Sequence, residues 1–90
     1  MLFAWDPKKA ASNLVKHGIS FEQAVTVFDD PLSDTFPDSD HSWQENRFII
    51  IGSAKQGKIL VVAHTDDGGL VRIISAREAT YRERKSYEEN

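Results

Sequence analysis

The chain has 90 residues, of which 40% are hydrophobic, carries a net charge of -3 and contains no cysteine. That length fits one domain, residues 1–90, and the hydrophobic content excludes a disordered chain. The lack of cysteine excludes a disulfide framework, a thiolate metal site and a thiol nucleophile. No apolar run approaches the roughly 20 residues of a membrane span, and residues 1–13 lack a signal-peptide core. We therefore expect a cytoplasmic protein with no membrane partner.

The charge is divided unevenly along the chain. Residues 1–46 carry three lysines and eight acidic residues, whereas residues 47–90 carry eight basic and six acidic residues. The overall pI of about 5.5 argues against non-specific nucleic-acid binding. The last stretch, "SAREATYRERKSYEEN", nevertheless holds four of the eleven basic residues, Arg77, Arg82, Arg84 and Lys85. A local positive field at this end could favour a phosphate.

The N-terminal half predicts a short strand followed by two helices. The strand is "LFAW", and the first helix is capped by Asp6, begins with Pro7 and ends at Gly18. The second helix, residues 20–28, begins with the capping-box spacing of Ser20 and Gln23. The expected apolar faces are Ala10, Ala11, Leu14 and Val15 in the first helix, and Phe21, Ala24, Val25 and Phe28 in the second. The two helices should form a hairpin that covers one face of a sheet.

The second half predicts that sheet. Pro31 and Pro37 bracket "LSDTF", a candidate short edge strand. Residues 47–54, 58–65 and 70–76 are rich in β-branched residues and are separated by the turns "KQG" and "DDGG", which predicts an antiparallel meander.

Residues 80–89 then predict a surface helix, capped by Thr80 and Glu83 in preference to Ser75 and Glu78. Ion pairs of Glu78 with Arg82 and of Arg84 with Glu88 would hold this helix. The resulting order, β-α-α-β-β-β-α, is that of an α+β fold with an antiparallel sheet.

Three arginines are the strongest candidates for chemistry. Strand alternation puts Arg72 on one face with Leu70, Ile74 and Ala76, where a charge is costly unless it is paired or functional. Arg77 at the strand end and Arg82 in the helix could converge with it, grip phosphate oxygens and stabilise a charged transition state. Glu78 could act as general base, or it could simply neutralise Arg82. A salt-bridge role for the whole group is an equal alternative.

Other candidates have a structural alternative as well. His64, near the end of a strand, could act as acid or base, or it could be a hydrogen-bonded structural histidine. Lys16 could complement the helix dipole, and Arg84 could pair with Glu88. Trp5 could join the first strand to the helices.

The Asp-rich stretch "PDSDHS" contains Asp38, Asp40 and His41. Its spacing matches no EF-hand or zinc pattern. We therefore expect neither a metal site nor a cofactor, and read the stretch as a solvated loop. An acidic patch for a basic partner is the second reading.

The segments "FAWDPKKAASNLVKHGISFEQAVTVFDDP", "RFIIIGSA", "LVVAHT" and "VRIISAREAT" together span most of the chain. In them and in the following R-E-R and Y-E-E, the chain resembles the BrnT toxins of bacterial type II toxin–antitoxin systems. The resemblance implies a RelE-like fold and a ribonuclease that cuts RNA and halts translation and growth. It also implies a neighbouring ribbon-helix-helix, BrnA-like antitoxin, expected here in a heterotetramer, which silences the toxin and brings it to operator DNA.

By the same resemblance Arg72, Arg77, Glu78 and Arg82 match the charged positions of the strand–helix junction. Tyr81 departs from the family, which often has a basic residue there, but a tyrosine could stack on a base or donate a proton. The resemblance to an RNA-cutting family also makes Trp5, Lys16 and Arg84 candidate RNA-binding residues, and Trp5 could stack on a base. The expected reaction is attack of the RNA 2′-OH on its own phosphate without a metal, with Glu78 or His64 taking the proton.

Three other functions remain open from the residues. The chain could be a non-catalytic co-repressor subunit, or an adaptor that binds RNA or protein. Alternatively, its arginines could serve only to dock an acidic partner.

Overall fold

The computed structural model describes residues 1–41 and 46–89, with only the backbone of His41. Its strands are β1 Leu2–Ala4, β2 Asp34–Pro37, β3 Arg47–Ser53, β4 Ile59–Asp67 and β5 Leu70–Glu78. Its helices are α1 Pro7–His17, α2 Phe21–Val25 and α3 Tyr81–Glu88, with 3-10 turns at Thr26–Asp29 and Ser39–His41. The α+β class is confirmed. The expected order is corrected by one strand, because the last three residues of the candidate edge strand "LSDTF" form β2 together with Pro37.

The five strands form one sheet in the order β1-β5-β4-β3-β2. β2 to β5 are antiparallel neighbours, which confirms the predicted meander, and β1 adds to β5 in parallel. The β4–β5 turn places Gly68 and Gly69 at φ 61° and 95°. These are the left-handed values of a two-residue hairpin turn, which glycine adopts without a steric cost.

One face of the sheet is covered by α1, α2 and the first 3-10 turn. α1 and α2 lie against β5, and the 3-10 turn lies against β3. The Asp6 side chain accepts a hydrogen bond from the Lys8 amide, and Gly18 ends α1 in the left-handed conformation, as predicted. The main core consists of Ile19, Phe21, Ala24, Val27, Ile50, Ala54, Leu60, Val62, Val71, Ile73 and Ala76.

The apolar face predicted for α1 is only partly confirmed, because Ala10 packs against the core but Ala11, Leu14 and Val15 are exposed. Val15 is 89% exposed and Leu14 is half-exposed, whereas the polar residue Asn13 is buried. The Asn13 amide donates to the carbonyls of Ile19 and Ala76, and its oxygen accepts from the Ala76 amide. Because these three bonds satisfy the side chain, burial of Asn13 costs little and rotates α1 away from the expected orientation.

The alternation predicted for the last strand also needs correction. Ser75 pairs with Ala63, but Ile73 pairs with His64, so Ile74 is an extra residue without a cross-strand partner. This β-bulge shifts the alternation by one residue. Ala76 therefore joins the buried side with Val71 and Ile73, and does not share a face with the exposed Arg72.

α3 follows β5 and lies on the opposite side of the sheet from α1 and α2. The Thr80 side chain accepts from the Glu83 amide, and the Glu83 side chain accepts from the Thr80 amide, so the predicted capping box is confirmed. No residue of α3 is buried. Within residues 1–41 and 46–89, no helix is both long and apolar enough to cross a membrane.

Candidate active site

The face of the sheet opposite α1 and α2, here called the open face, carries its side chains in rows across the strands. Register partners share a face, so each row can be followed from β2 or β3 to β5. The rows are Asp34, Ile51, Val61 and Arg77; Phe36, Ile49, Ala63 and Ser75; and Arg47, Thr65 and Arg72. The first row therefore begins with a carboxylate and ends with a guanidinium.

A groove of about 400 Å³ lies over the first two rows. Its floor is apolar and includes Ile49, Ile51 and Val61, while α3 supplies one wall, including Arg82. The opposite wall is formed by β2 and the segment after it, with Asp34, Phe36, Pro37, Asp38, Ser39 and Asp40. One wall is thus acidic, and the other contains both signs of charge.

Arg77 is held in the groove by Glu83 of α3. Its two terminal nitrogens donate to the two carboxylate oxygens at 2.7 and 2.9 Å. This two-pronged contact lowers the pKa of Glu83 to about 2 and raises the pKa of Arg77. Glu83 is therefore ionised at neutral pH and is a weak proton acceptor, while Arg77 has a fixed orientation.

A second contact fixes the far end of α3. The Tyr87 hydroxyl donates to Asp30, which also accepts from the amides of Ser53 and Leu32. The hydrogen bond to Asp30 and partial burial raise the pKa of Tyr87 to about 12. Burial acts to raise the pKa of Asp30, but its three hydrogen bonds outweigh this effect and lower it. α3 is thus attached by polar contacts at both ends.

The predicted arginines are only partly brought together. Arg77 and Arg82 line the same groove. Arg72 is exposed on the same face, but its row is four β4 residues from that of Arg77, a separation of about 13 Å. Arg77 and Arg82 therefore share one groove, whereas Arg72 lies on the same face outside its lining.

The two predicted proton acceptors lie on the other side of the sheet. His64 is only 3% exposed, and its ring packs against Phe28 and Phe48 at centroid distances of 4.9 and 5.9 Å. Burial lowers the pKa of His64. Glu78 pairs with Leu60, a core residue, so strand alternation directs it away from the groove. The expectation that either residue joins the arginines does not match this arrangement.

The predicted RNA-binding residues are scattered. Trp5 packs edge-on against Phe21 at 5.9 Å beside the core, which fits the structural reading. Lys16 is exposed in the last turn of α1, on the covered side of the sheet. Tyr81 is 70% exposed beside Lys85, and Arg84 is exposed on α3.

The ion pairs predicted for α3 are replaced by a different one. Among the described residues, neither Glu78 with Arg82 nor Arg84 with Glu88 forms a salt bridge, whereas Arg77 with Glu83 does. The sequence signal for Glu83 was its capping-box position, which places its carboxylate beside the strand end. Phe36 and Asp34 were missed because only the register of β2 brings them onto the open face.

The Asp-rich stretch contributes to the acidic wall of the groove. Asp38 accepts a hydrogen bond from the guanidinium of Arg47 at 3.2 Å. Asp40 is exposed, and the His41 side chain lies outside the described residues. No group of three potential metal ligands occurs among the described side chains.

Comparisons with known proteins agree with the resemblance read from the sequence. No curated protein sequence matches the chain. Its fold is similar to the crystal structure of the Brucella abortus ribonuclease toxin BrnT, with a TM-score of 0.69 and 24% identity over 89% of this chain and 99% of that one. At this identity the structural match supports the fold alone. The family model described as "Ribonuclease toxin, BrnT, of type II toxin-antitoxin system" matches residues 5–83, so this chain belongs to the BrnT family.

Proposed function

We propose that this chain is an endoribonuclease toxin with a RelE-like fold that cuts RNA in the cytoplasm and thereby inhibits translation and growth. The observation that carries the proposal is the position of two arginines, Arg77 and Arg82, on one groove of the open face. Both lie within the residues matched by the family model. An open sheet face with guanidinium groups beside an apolar floor can hold the phosphate and base of a single-stranded RNA.

The proposed reaction is transesterification within the RNA. The 2′-oxygen attacks the adjacent phosphorus, the bond to the 5′-oxygen of the next nucleotide breaks, and a 2′,3′-cyclic phosphate and a 5′-OH end remain. Arg77 and Arg82 stabilise the negative charge that develops on the phosphate oxygens, and Arg72 holds the next phosphate. The nucleophile belongs to the substrate, and the reaction as proposed uses no metal.

Proton transfer is the part of the sequence-based mechanism that changes. His64 is buried among aromatic rings, and Glu78 projects toward the covered face. Glu83 is nearby, but its pKa of about 2 makes it a weak base. The proposed contribution of this chain is therefore mainly electrostatic, through a fixed guanidinium at Arg77 and an exposed one at Arg82.

A type II system supplies a cognate antitoxin for its toxin. We propose that this partner is a ribbon-helix-helix, BrnA-like protein, that the two form a heterotetramer, and that the toxin reaches operator DNA only through it. The resemblance in sequence supports these partners. The N-terminal half of the chain, with three lysines and eight acidic residues, carries a net negative charge that would attract a basic DNA-binding protein.

The test is cleavage of a purified structured RNA in the presence of EDTA. We expect the wild type to leave 5′-OH ends and Arg82→Ala to lose about 100-fold in rate, because one stabilising charge is removed. Lys9→Ala removes an exposed positive charge from α1, on the other side of the sheet, and should cleave like the wild type. RNA with a 2′-deoxy nucleotide at the cut site should survive. Cleavage of that substrate would contradict the proposed nucleophile.

A second candidate function is a non-catalytic subunit that acts with a DNA-binding antitoxin as a co-repressor. One observation favours it: both terminal nitrogens of Arg77 are already engaged by Glu83. In that case the pair only fixes α3, and the purified protein would bind its antitoxin without producing new RNA ends. Growth arrest on expression without antitoxin would contradict this candidate.

A further inference from the structure

Phe36 is an exposed aromatic side chain inside the groove. It lies on the edge strand β2, keeps 45% of its surface exposed and lines the groove with Arg82 and Arg77. In its row it precedes Ile49 and Ala63, so a flat ring stacked on it would lie beside the apolar side chain of Ile49. Exposed aromatic residues on an open sheet are the platforms on which single-stranded RNA bases stack.

Asp34 lies beside Phe36 on the same strand face. The two residues are two positions apart, which corresponds to about 7 Å. The Asp34 side chain is exposed and forms no hydrogen bond or ion pair with the described residues. Its two carboxylate oxygens can therefore accept hydrogen bonds from a flat ligand that stacks on Phe36.

The opposite charge lies at the other end of the same row. Asp34 and Arg77 are separated by Ile51 and Val61, a span of three strand spacings or about 14 Å between backbones. Arg82 lines the groove on that side. A ligand that fits this row has hydrogen-bond donors at one end, an apolar ring system in the middle and an anionic group at the other end.

We propose that the groove is a guanine-nucleotide subsite, in which Phe36 stacks on the base, Asp34 reads its donor edge and Arg82 contacts its phosphate. Guanine is the base that presents two adjacent donors, N1–H and the 2-amino group, to one carboxylate, whereas adenine and cytosine each present one amino group. The inference rests on the proposed ribonuclease function and adds the base that the enzyme prefers next to the cut.

The charges of the groove also allow a basic protein segment, but they favour the nucleotide. Asp38 is engaged by Arg47 and Glu83 is engaged by Arg77, so these carboxylates are compensated within the protein. The charges that are left are Asp34 and Asp40 on one wall and Arg82 on the other. A basic peptide would leave Arg82 unpaired, whereas a nucleotide can bond to Asp34 through its donor edge and to Arg82 through its phosphate.

The test measures binding of guanosine, inosine and adenosine 3′-monophosphates to the full chain, followed by NMR shifts. We expect guanosine to bind roughly tenfold more tightly than adenosine, because a two-pronged contact distinguishes bases by about that factor. Inosine, which lacks the 2-amino group, should fall between them. Asp34→Asn should reduce the guanosine preference to about twofold or less. Asp67→Asn makes the same charge change in the β4–β5 hairpin and should leave the preference intact.

Phe36→Leu tests the stacking step separately. It should weaken all three nucleotides by roughly fivefold while keeping their order, because every base loses the same aromatic face. Thermal unfolding of each variant shows whether the fold is retained. A wild type that binds the three nucleotides equally, or an Asp34→Asn protein that keeps the guanosine preference, would overturn the inference.

Cleavage assays separate this inference from the proposed function. Efficient cleavage next to all four bases, with no nucleotide preference, would support the ribonuclease function and contradict the guanine subsite. Guanosine binding that depends on Asp34, without any cleavage, would support the subsite and contradict the catalytic proposal. Binding of a lysine-containing apolar peptide in place of any nucleotide would assign the groove to a protein partner and overturn the inference.

Discussion

The two faces of this sheet are built differently. The covered face is closed by α1, α2 and a 3-10 turn over fully buried apolar residues such as Phe21 and Leu60. The open face is only partly covered, by α3, which buries none of its own residues and is attached through the Arg77–Glu83 and Tyr87–Asp30 contacts. Apolar burial stabilises the covered face, whereas an ion pair and a hydrogen bond position α3 over the open face.

The difference shows how a 90-residue chain can combine a stable core with an accessible site. Hydrophobic burial contributes most of the folding free energy, and it is concentrated on the covered side. The open side can then keep charged and exposed aromatic groups, including Arg82 and Phe36, that a core would exclude. Changes on the covered face should therefore affect mainly stability, and changes on the open face mainly function.

The largest expected effect is on the covered face, at Asn13. Asn13→Ala removes three buried hydrogen bonds and leaves the Ala76 amide and two carbonyls without partners. We expect a loss of about 3–5 kcal/mol in the free energy of unfolding, measured by urea denaturation. Ser12→Ala, an exposed neighbour on the same helix, should change it by less than about 0.5 kcal/mol. Similar stability of the two variants would show that the network is not needed.

A smaller effect is expected at the Arg77–Glu83 pair on the open face. The pKa of Glu83 is lowered to about 2, below its ordinary value, so the pair stabilises the fold above about pH 4.5. This contribution should be lost as the pH falls from about 4.5 to 2. Because both side chains are more than a third exposed, we expect roughly 1 kcal/mol at neutral pH.

Glu83→Gln, which cannot ionise, tests the expected loss of stability between about pH 4.5 and 2. Its free energy of unfolding should lie below that of the wild type at pH 7 and approach it near pH 2. A constant difference between the two proteins from pH 7 to pH 2 would contradict the ion-pair account.

The contact at the other end of α3 should contribute a similar or smaller amount. Tyr87→Phe removes the hydroxyl that donates to Asp30, and we expect a loss of about 0.5–1.5 kcal/mol. In a Tyr81→Phe background, an ultraviolet titration should give the remaining tyrosine a pKa of about 12. Because this value is raised, the contribution is present below about pH 10 and is lost as the pH rises through 12. A transition near pH 10 would contradict the contact.

The smallest effect on catalysis is expected at His64. His64→Leu should cleave RNA within about twofold of the wild type, because the ring is buried on the covered face; loss of a general base costs about 100-fold or more. A 100-fold loss of cleavage rate in a folded variant would show that His64 takes part in the reaction. Burial lowers the pKa of His64, so the wild type should lose stability as the pH falls below about 6.5. The variant should lack that loss.

Local features of the fold were predictable because they are encoded in adjacent residues. Caps such as Asp6, Thr80 and Glu83 satisfy backbone groups within one turn, and β-branched runs separated by turn residues define the meander. Features that depend on distant partners were not predictable in the same way. Asn13 is buried because of Ala76, 63 residues later, and no local pattern shows that an asparagine will find such a partner.

The candidate site was only half predictable for the same reason. The arginines stood out because of their position at a strand–helix junction, and Arg77 and Arg82 do line the same groove. Glu78 and His64 were assigned by proximity in sequence and by strand position, but register places both on the covered side. Phe36 and Asp34 come from an edge strand whose pairing with β3 is needed before either residue can be located.

The bulge at Ile74 puts two arginines of β5, Arg72 and Arg77, on the same face of the sheet. Arg72 and Arg77 are five residues apart, an odd separation that would put them on opposite sides of a regular strand. The additional residue brings both onto the open face, and the strand on either side can still bury Ile73 and Ala76. In evolutionary terms, deletion of one residue at this bulge would reverse the alternation of the side chains that follow it. It would direct every later side chain of β5 to the wrong side, so relatives should tolerate substitutions at this point far better than a change in length.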